Sequence, residues 1–508
     1  MKIERMILSN FRSYKDEISI EFDDLSVFIG KNDIGKSTIL EALDIFFNES
    51  KGVIKIDKDD LNKKARDSGE TEIKIGVVFG GLPDKLTIDT TNPTCLEDEY
   101  LLDKNGKLTI VKKYPNGGKE KVFIKAYHPT NAACSELMVK KNSDLKKLLT
   151  DDMACKDKTK NSSIRQAIWG YHSGNLNLRE IEIELGKIDE KNIWEKLKNY
   201  LPLYSLFQSD RKNSDGDGEI QDPMRLAVKE ILKDQILMKN LGQVAREVEK
   251  KLNEVATQTL DKLNEMNPEI ADSLTPVIPS PEILKWADVF KSVSINSDED
   301  IPINKRGSGV KRLVLLSFFR AEAERRMHAS NAAEVIYAFE EPETSQHPSH
   351  QKKLIEALIE LSTSKHTQVL LTTHSPSIVK LLQFDHLKLI KSIPKKEVVN
   401  IERSELPYPS LNEVNFLAFG ESNAEYHNEL YGYMERGGLL SEYKDGRETI
   451  EYIRFKKNGD KKREQITKSE YIRHQIHHPE NIHNDFYKDE DLQSSIGDMR
   501  DFIQAQTE

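Results

Sequence analysis

Hydrophobic and polar positions along the chain fall into distinct textures. LSVFIG (25–30) is a short uninterrupted apolar run entering a loop that carries Gly30 and Gly35, and STILEALDIFF (37–47) has apolar residues three and four apart. That order predicts strand, loop, helix. MKIERMILSNFRSYKDE alternates apolar and polar residues and carries charge throughout, so it reads as a first strand and not as a signal peptide. Residues 70–82 and 107–128 predict further strands, TEIKIGVVFG most clearly, and suggest an α/β start with an antiparallel edge.

From about 135 to 290 the chain becomes rich in Lys, Glu and Leu. In VAREVEKKLNEVATQTLDKLNEM apolar residues recur at three and four, as in an amphipathic or coiled-coil arm. A polar loop, SDRKNSDGDGEIQDP, interrupts the arm, and a Pro-rich turn, SLTPVIPSPEIL, closes it. Residues 290–400 return to α/β: a Gly-rich loop, a helix, the strand EVIYAFEE, a helix, the strand QVLLTTH, a helix and the strand LKLIK. The expected organisation is one α/β nucleotide-binding domain split by a helical insertion. Its lobes are 1–135 and 291–400, the insertion is 136–290, and a small, mainly helical region follows at 401–508.

The P-loop comes from Gly30-Lys31-Asn32-Asp33-Ile34-Gly35-Lys36-Ser37, which fits GxxxxGK[ST] and is followed by Thr38. Glycines let the backbone close around phosphate, and the helix starting at Lys36 directs its positive end at the anion. Lys36 is placed to reach the β/γ oxygens and Ser37 to bind Mg²⁺. EVIYAFEEPE is an apolar strand ending in acids: Glu340 is placed to hold Mg²⁺ through water and Glu341 to polarise the attacking water. His374, after the next apolar strand, is placed on the γ-phosphate side.

Taken in order, NFRS, GKNDIGKST, a helical insert, RGSGVKR, FEEPE and TTHSP resemble the ABC/SMC-like ATPases, in particular the RecF and overcoming-lysogenization-defect (OLD) branch. The resemblance covers about residues 1–400 apart from the insert. It implies that Ser308 and Gly309, in Arg306-Gly307-Ser308-Gly309, form a signature loop capping ATP held by the opposite protomer, hence a homodimer or higher even oligomer. It further implies Glu341 as catalytic base, His374 as switch histidine, and Asn10 and Arg12 near the nucleotide, with ATP and Mg²⁺ as cofactors. Two positions depart from the pattern: Glu340 stands where an Asp is usual, and RGSGVKR replaces LSGGQ. No Q-loop glutamine stands out.

OLD-like nucleases continue into a TOPRIM domain, which needs an early Glu and a later Asp-x-Asp at strand ends to hold two metals. Phe419-Gly420-Glu421 is the nearest candidate here, and no Asp-x-Asp follows on an apolar strand, so TOPRIM is rejected. Instead Tyr471-Ile472-Arg473-His474-Gln475-Ile476-His477-His478-Pro479 contains Arg473 and His478 as R-x4-H, with the polar His474 after the Arg. This resembles the motif of HEPN ribonucleases, in which His moves the 2′-OH proton and Arg stabilises the phosphorane. Three readings stay open for this region: a ribonuclease, a structural or partner-binding turn built from His474, His477, His478 and His483, and a metal site that the lack of nearby Cys argues against.

Charge and composition narrow the class. The 508 residues carry a net charge of -10, so nucleic-acid binding needs a local basic patch. One candidate is Arg454, Lys456, Lys457, Lys461, Lys462, Arg463, Lys468 and Arg473, with a solvated hairpin as the alternative. The loop Asp210, Asp215, Asp217, Glu219 and Asp222 is too irregular for a cation site and reads as solvated, and Tyr426, His427 and Tyr431 read as core. Cys95, Cys134 and Cys155 are scattered without metal spacing, which fits a reducing cytoplasm. A hydrophobic fraction of 37% with mean hydropathy -0.60 and no run of about 18 apolar residues predicts no membrane span.

Stand-alone ATPases of this build resemble the ATPase subunits of bacterial anti-phage systems such as Septu and PARIS. That resemblance implies an ATP state gating a toxic effector, either the chain's own C-terminal region acting on RNA or a separate nuclease subunit. The alternatives are a RecF-like DNA repair or maintenance ATPase that binds DNA, and an ATP-switched scaffold.

Overall fold

The computed structural model describes residues 1–49, 52–84, 86, 94–185, 190–208, 228, 230–266, 321, 334–344, 348–392, 395–401, 410–455 and 460–507. The signature residues Ser308 and Gly309, the acidic loop Asp210 to Asp222, and Lys456 and Lys457 lie outside them. The chain divides into a smaller unit (residues 1–2, 200–338 and 344–369) and a larger one (3–199, 339–343 and 370–508).

The larger unit carries one sheet in the order β2-β1-β4-β5-β6-β7, from Ile18–Glu21, Lys2–Ser9, Glu72–Gly80, Leu108–Pro115, Lys121–Pro129 and Leu178–Glu184. The β4, β5, β6 and β7 pairings are antiparallel, as is β1 with β2. Its helices are α1 (Lys36–Asn48), α2 (Lys63–Asp67), α3 (Asn142–Lys147), α4 (Asn161–Tyr171) and α5 (Glu190–Lys198). β7 corrects the expectation of a helical stretch from 136 onward. LREIEIE alternates apolar and charged residues with the period of two that a strand requires, and its charged face stays exposed at the sheet edge. Its three glutamates, set in a Lys/Glu/Leu-rich span, hid that alternation.

A second sheet builds the nucleotide half. Within the larger unit β12 (Glu397–Asn400) pairs antiparallel with β11 (Leu387–Lys391), and β11 pairs parallel with β3 (Leu25–Ile29), Leu387 opposite Val27 and Leu389 opposite Ile29. The ends of β10 (Thr367–Thr373) and β9 (Val335–Glu340) complete it there. All five β3 residues and all seven of β10 are buried, which is why these strands read as continuous apolar runs and not as alternations.

In the smaller unit β8 (Leu203–Gln208) lies beside the N-terminal part of β9, Leu203 N–H donating to the Glu334 carbonyl at 2.8 Å, with Phe207 stacked on Tyr337. β8 is a second strand within the span expected to be helical; its Tyr204, Leu206 and Phe207 are buried. The amphipathic arm appears as α6 (Gln235–Met266), on which Val244, Val248, Leu252 and Val255 are exposed. α7 (Pro348–Ser362) follows β9.

In the larger unit α8 (Pro376–Val379) follows β10, and the C-terminal region is α9 (Leu411–Phe419), α10 (Ala424–Arg436), α11 (Leu440–Lys444), the hairpin β13–β14 (Thr449–Phe455, Lys461–Thr467), α12 (Lys468–His477) and α13 (Asp489–Thr507). Tyr426, Leu430, Met434, Ile472, Ile496 and Met499 are buried together as its core. No helix of the described residues is long and apolar enough to cross a membrane.

Candidate functional site

The phosphate loop follows from where β3 must turn. Gly30 has φ +148°, and a Cβ there would meet the Ile390 carbonyl of β11 at 3.3 Å, so only glycine lets the loop leave the sheet. Gly35 has φ +101° and caps α1; a Cβ would stand 2.7 Å from Ser13 Oγ. Between them Asp33 takes a left-handed φ of 59°. Asn32 lies in the exposed turn, and Ser37 and Thr38 are in the first turn of α1.

Lys36 is buried and donates from Nζ to the carbonyls of Gly30 and Lys31, both at 3.0 Å. Its amine therefore already sits inside the curl of the loop, where the motif places phosphate oxygens. Burial lowers its pKa, opposed by Glu341, Glu343, Asp33 and Glu340. The acids at the end of β9 thus act on the same amine as the loop, although three hundred residues of sequence separate them.

Glu341 follows β9 with a left-handed φ of 44°, an arrangement costing a non-glycine residue about 1–3 kcal/mol. Its N–H donates to the Thr372 carbonyl at 3.1 Å, so β10 holds this turn. Strain at this residue and not in a surface loop is where a functional group is expected. His374, just past β10, places Nδ1 3.1 Å from Glu341 Oε1, and both side chains are partly exposed. The structure therefore brings together Lys36, Glu340, Glu341 and His374 around the end of the P-loop helix.

Two residues of this site carry no motif. Glu343 is buried and its Oε1 accepts from Thr373 Oγ1 at 2.5 Å; that Oγ1 in turn accepts the Ser375 N–H at 3.0 Å. These bonds fix the backbone on both sides of His374. Burial raises the Glu343 pKa, with the Thr373 bond and His374 opposing. Only the third acid of FEEPE and the threonine before His374 hinted at this pairing.

The NFRS segment is held by side-chain bonds. Asn10 and Arg12 both have left-handed φ, 58° and 47°. Asn10 Nδ2 donates to Glu70 Oε2 at 2.6 Å and to the Glu72 carbonyl. Arg12 donates from Nε to Asp60 Oδ1 at 2.8 Å and is paired with Glu41 of α1. Tyr14 is fully buried and donates its hydroxyl to the Gly35 carbonyl at 3.0 Å. The segment is so tied to the P-loop through Tyr14 and to α1 through Arg12.

In the C-terminal region Arg473 lies over the Tyr431 ring at 4.2 Å and donates to Glu435 Oε2 at 3.1 Å, both on α10. His478 caps α12 and is exposed, with Nδ1 3.2 Å from Glu480 Oε1. Among the described residues no interaction joins Arg473 to His478. His474 stacks on Tyr452, beside Arg454; burial and then that cation lower its pKa. His427 is buried and bonded to Ser495 Oγ at 3.0 Å, and burial, then Arg473, lowers its pKa to about 4, so it is a neutral core residue. The basic cluster is largely paired: Arg454 and Lys462 with Glu464, Arg463 with Glu451, Lys468 with Asp491. Among the described residues no cluster of His, Cys, Asp and Glu is arranged to hold a metal by itself.

A family model described as an AAA ATPase domain matches residues 1–379. No curated protein matches. Among solved structures, an Smc head bound to the C-terminal winged-helix domain of ScpA is similar at 14% identity and TM-score 0.39, covering 80% of this chain and 99% of that one. The SMC head domain from Thermotoga maritima is similar at 14% identity and TM-score 0.32, covering 79% and 100%. An Smc head from Pyrococcus furiosus with an extended coiled coil gives 13% and 0.36, covering 79% and 97%.

Proposed function

The chain belongs to the AAA ATPase family, and from that premise we propose that it hydrolyses ATP as an ATP-bridged homodimer whose nucleotide state gates a nuclease effector in bacterial anti-phage defence. The observation that carries the catalytic part is the contact of His374 Nδ1 with Glu341 Oε1 at 3.1 Å, on the acid side of buried Lys36.

In this reading the amides of the loop from Gly30 to Gly35, with Asn32 and Asp33 in its turn, surround the phosphates. Lys36 gives up its two carbonyl bonds for the β/γ oxygens, and Thr38 binds in the first helical turn. Ser37 and Glu340 offer a hydroxyl and a carboxylate, hard oxygen ligands of the kind Mg²⁺ takes. Mg²⁺ there would neutralise phosphate charge. Glu341 orients and deprotonates the attacking water, and His374, in contact with Glu341, turns toward the γ-phosphate. Ser308 and Gly309 of the partner protomer close the site. Arg12 acts through Glu41 on α1.

The effector part rests on the resemblance to stand-alone defence ATPases and on residues 401–508 as a separate effector or partner-binding domain. Arg473 and His478 are its candidate ribonuclease pair, with His474 beside them. Because Arg473 is engaged by Tyr431 and Glu435, cleavage requires its release or a second protomer. The test is cleavage of RNA by the full chain with ATP and Mg²⁺. Cyclic-phosphate ends that vanish in His478→Ala support an effector within this chain. Intact RNA under ATP turnover moves the effector to a separate subunit, and ATP-strengthened, salt-sensitive DNA binding would instead favour the RecF-like reading.

A further inference from the structure

Lys396 precedes β12, outside the residues matched by the family model, yet its amine reaches the phosphate loop. Nζ donates to Ser13 Oγ at 2.6 Å and lies 4.3 Å from the centroid of the Tyr14 ring. It also stands 2.9 Å from where a Cβ on Gly35 would be. The amine therefore occupies the space that the missing side chain of the P-loop's second glycine leaves at the start of α1.

Its partners there are a hydroxyl and an aromatic face. Among the described residues no carboxylate pairs with it. The first turn of α1 adds the positive end of a helix, and buried Lys36 is the next residue along. The Lys396 amine thus stands beside a helix N-terminus without a carboxylate partner among the described residues. A partly buried cation without counter-charge is costly, and an anion placed beside it removes that cost.

We infer that Lys396 is a second phosphate-binding cation of the nucleotide site, contributed by the strand that leads out of the ATPase fold toward the C-terminal region. The inference rests on the P-loop being the nucleotide site. Burial lowers the Lys396 pKa to about 8. Tyr14, the titratable group packed on it, is raised by burial and stays neutral, so it offers a face and no charge.

The test is equilibrium binding of ATP, ADP and adenosine to the full chain and to Lys396→Ala, Lys396→Arg and Lys36→Ala. Losing a charge-assisted bond to phosphate is expected to weaken ATP and ADP about tenfold or more in Lys396→Ala and to leave adenosine unchanged. Lys396→Arg should retain most of the affinity, which excludes a folding defect as the cause. Wild-type ATP affinity should fall between pH 7 and 9 more steeply than that of Lys396→Arg. Unchanged ATP affinity in Lys396→Ala, with binding lost in Lys36→Ala, would overturn the inference and leave the site intact. Equal weakening for adenosine would also overturn it. Undiminished ATP affinity in Lys36→Ala would overturn the site reading itself, and the inference with it.

Discussion

Replacing Thr373 with Val separates positioning from binding. The side chain is fully buried and nearly isosteric with Val, so packing is kept while two hydrogen bonds are lost. One runs to the Glu343 carboxylate, worth about 1.5–3 kcal/mol, and one comes from the Ser375 amide, worth about 0.5–1.5 kcal/mol. Together the expected destabilisation is about 2–4.5 kcal/mol, at roughly 2–4 °C of melting temperature per kcal/mol. His374 sits between the two anchors. Shifting a catalytic group by about 1 Å can cost about a hundredfold in rate. The variant should therefore lose tenfold or more in kcat for ATP and keep its ATP affinity, because Lys36 and the loop amides are untouched. Thr373→Ser, which keeps the hydroxyl, should recover most of the rate. Steady-state hydrolysis beside a fluorescent-nucleotide binding curve measures both. A lower melting temperature with unchanged kcat would refute the argument that these bonds position His374.

Other consequences follow from the same groups. Burial raises the Glu343 pKa above its ordinary 4.5, so the folded state holds that proton more tightly than the unfolded state. This favours folding in full below pH 4.5 and is lost as pH rises through the raised value; Glu343→Gln should flatten the stability profile across that window in melts at a series of pH values. Gly35→Ala meets Ser13 Oγ at 2.7 Å with a φ of +101°, and should abolish ATP binding by isothermal titration while the circular dichroism spectrum is retained. Arg500 donates three bonds to the buried Glu413 carboxylate; Arg500→Ala strands that charge and should lower stability by about 3–5 kcal/mol in denaturant melts.

The nucleotide half was readable because each of its parts obeys a local rule. β3, β9 and β10 are buried on both faces, so their apolar runs stand out, and Gly30 and Gly35 occupy backbone conformations that other residues resist. β7 was missed because its alternation uses charged residues at an exposed edge, where helix-like composition and strand-like period coincide. Glu343, Thr373 and Lys396 were missed for another reason. Their roles come from contacts across 30 to 383 positions of sequence, which no spacing rule encodes. In the C-terminal region R-x4-H was visible as a pattern, but the partners of Arg473, Tyr431 and Glu435, lie on another helix.

The most direct measurement is steady-state ATP hydrolysis by the full chain with Mg²⁺, compared with Glu341→Gln, with ATP binding measured on the same samples. Glutamine keeps the size of Glu341 and removes its ability to take a proton. The account predicts that turnover falls about a hundredfold or more while ATP stays bound, as removal of a general base does. Equal turnover in the two proteins would contradict it.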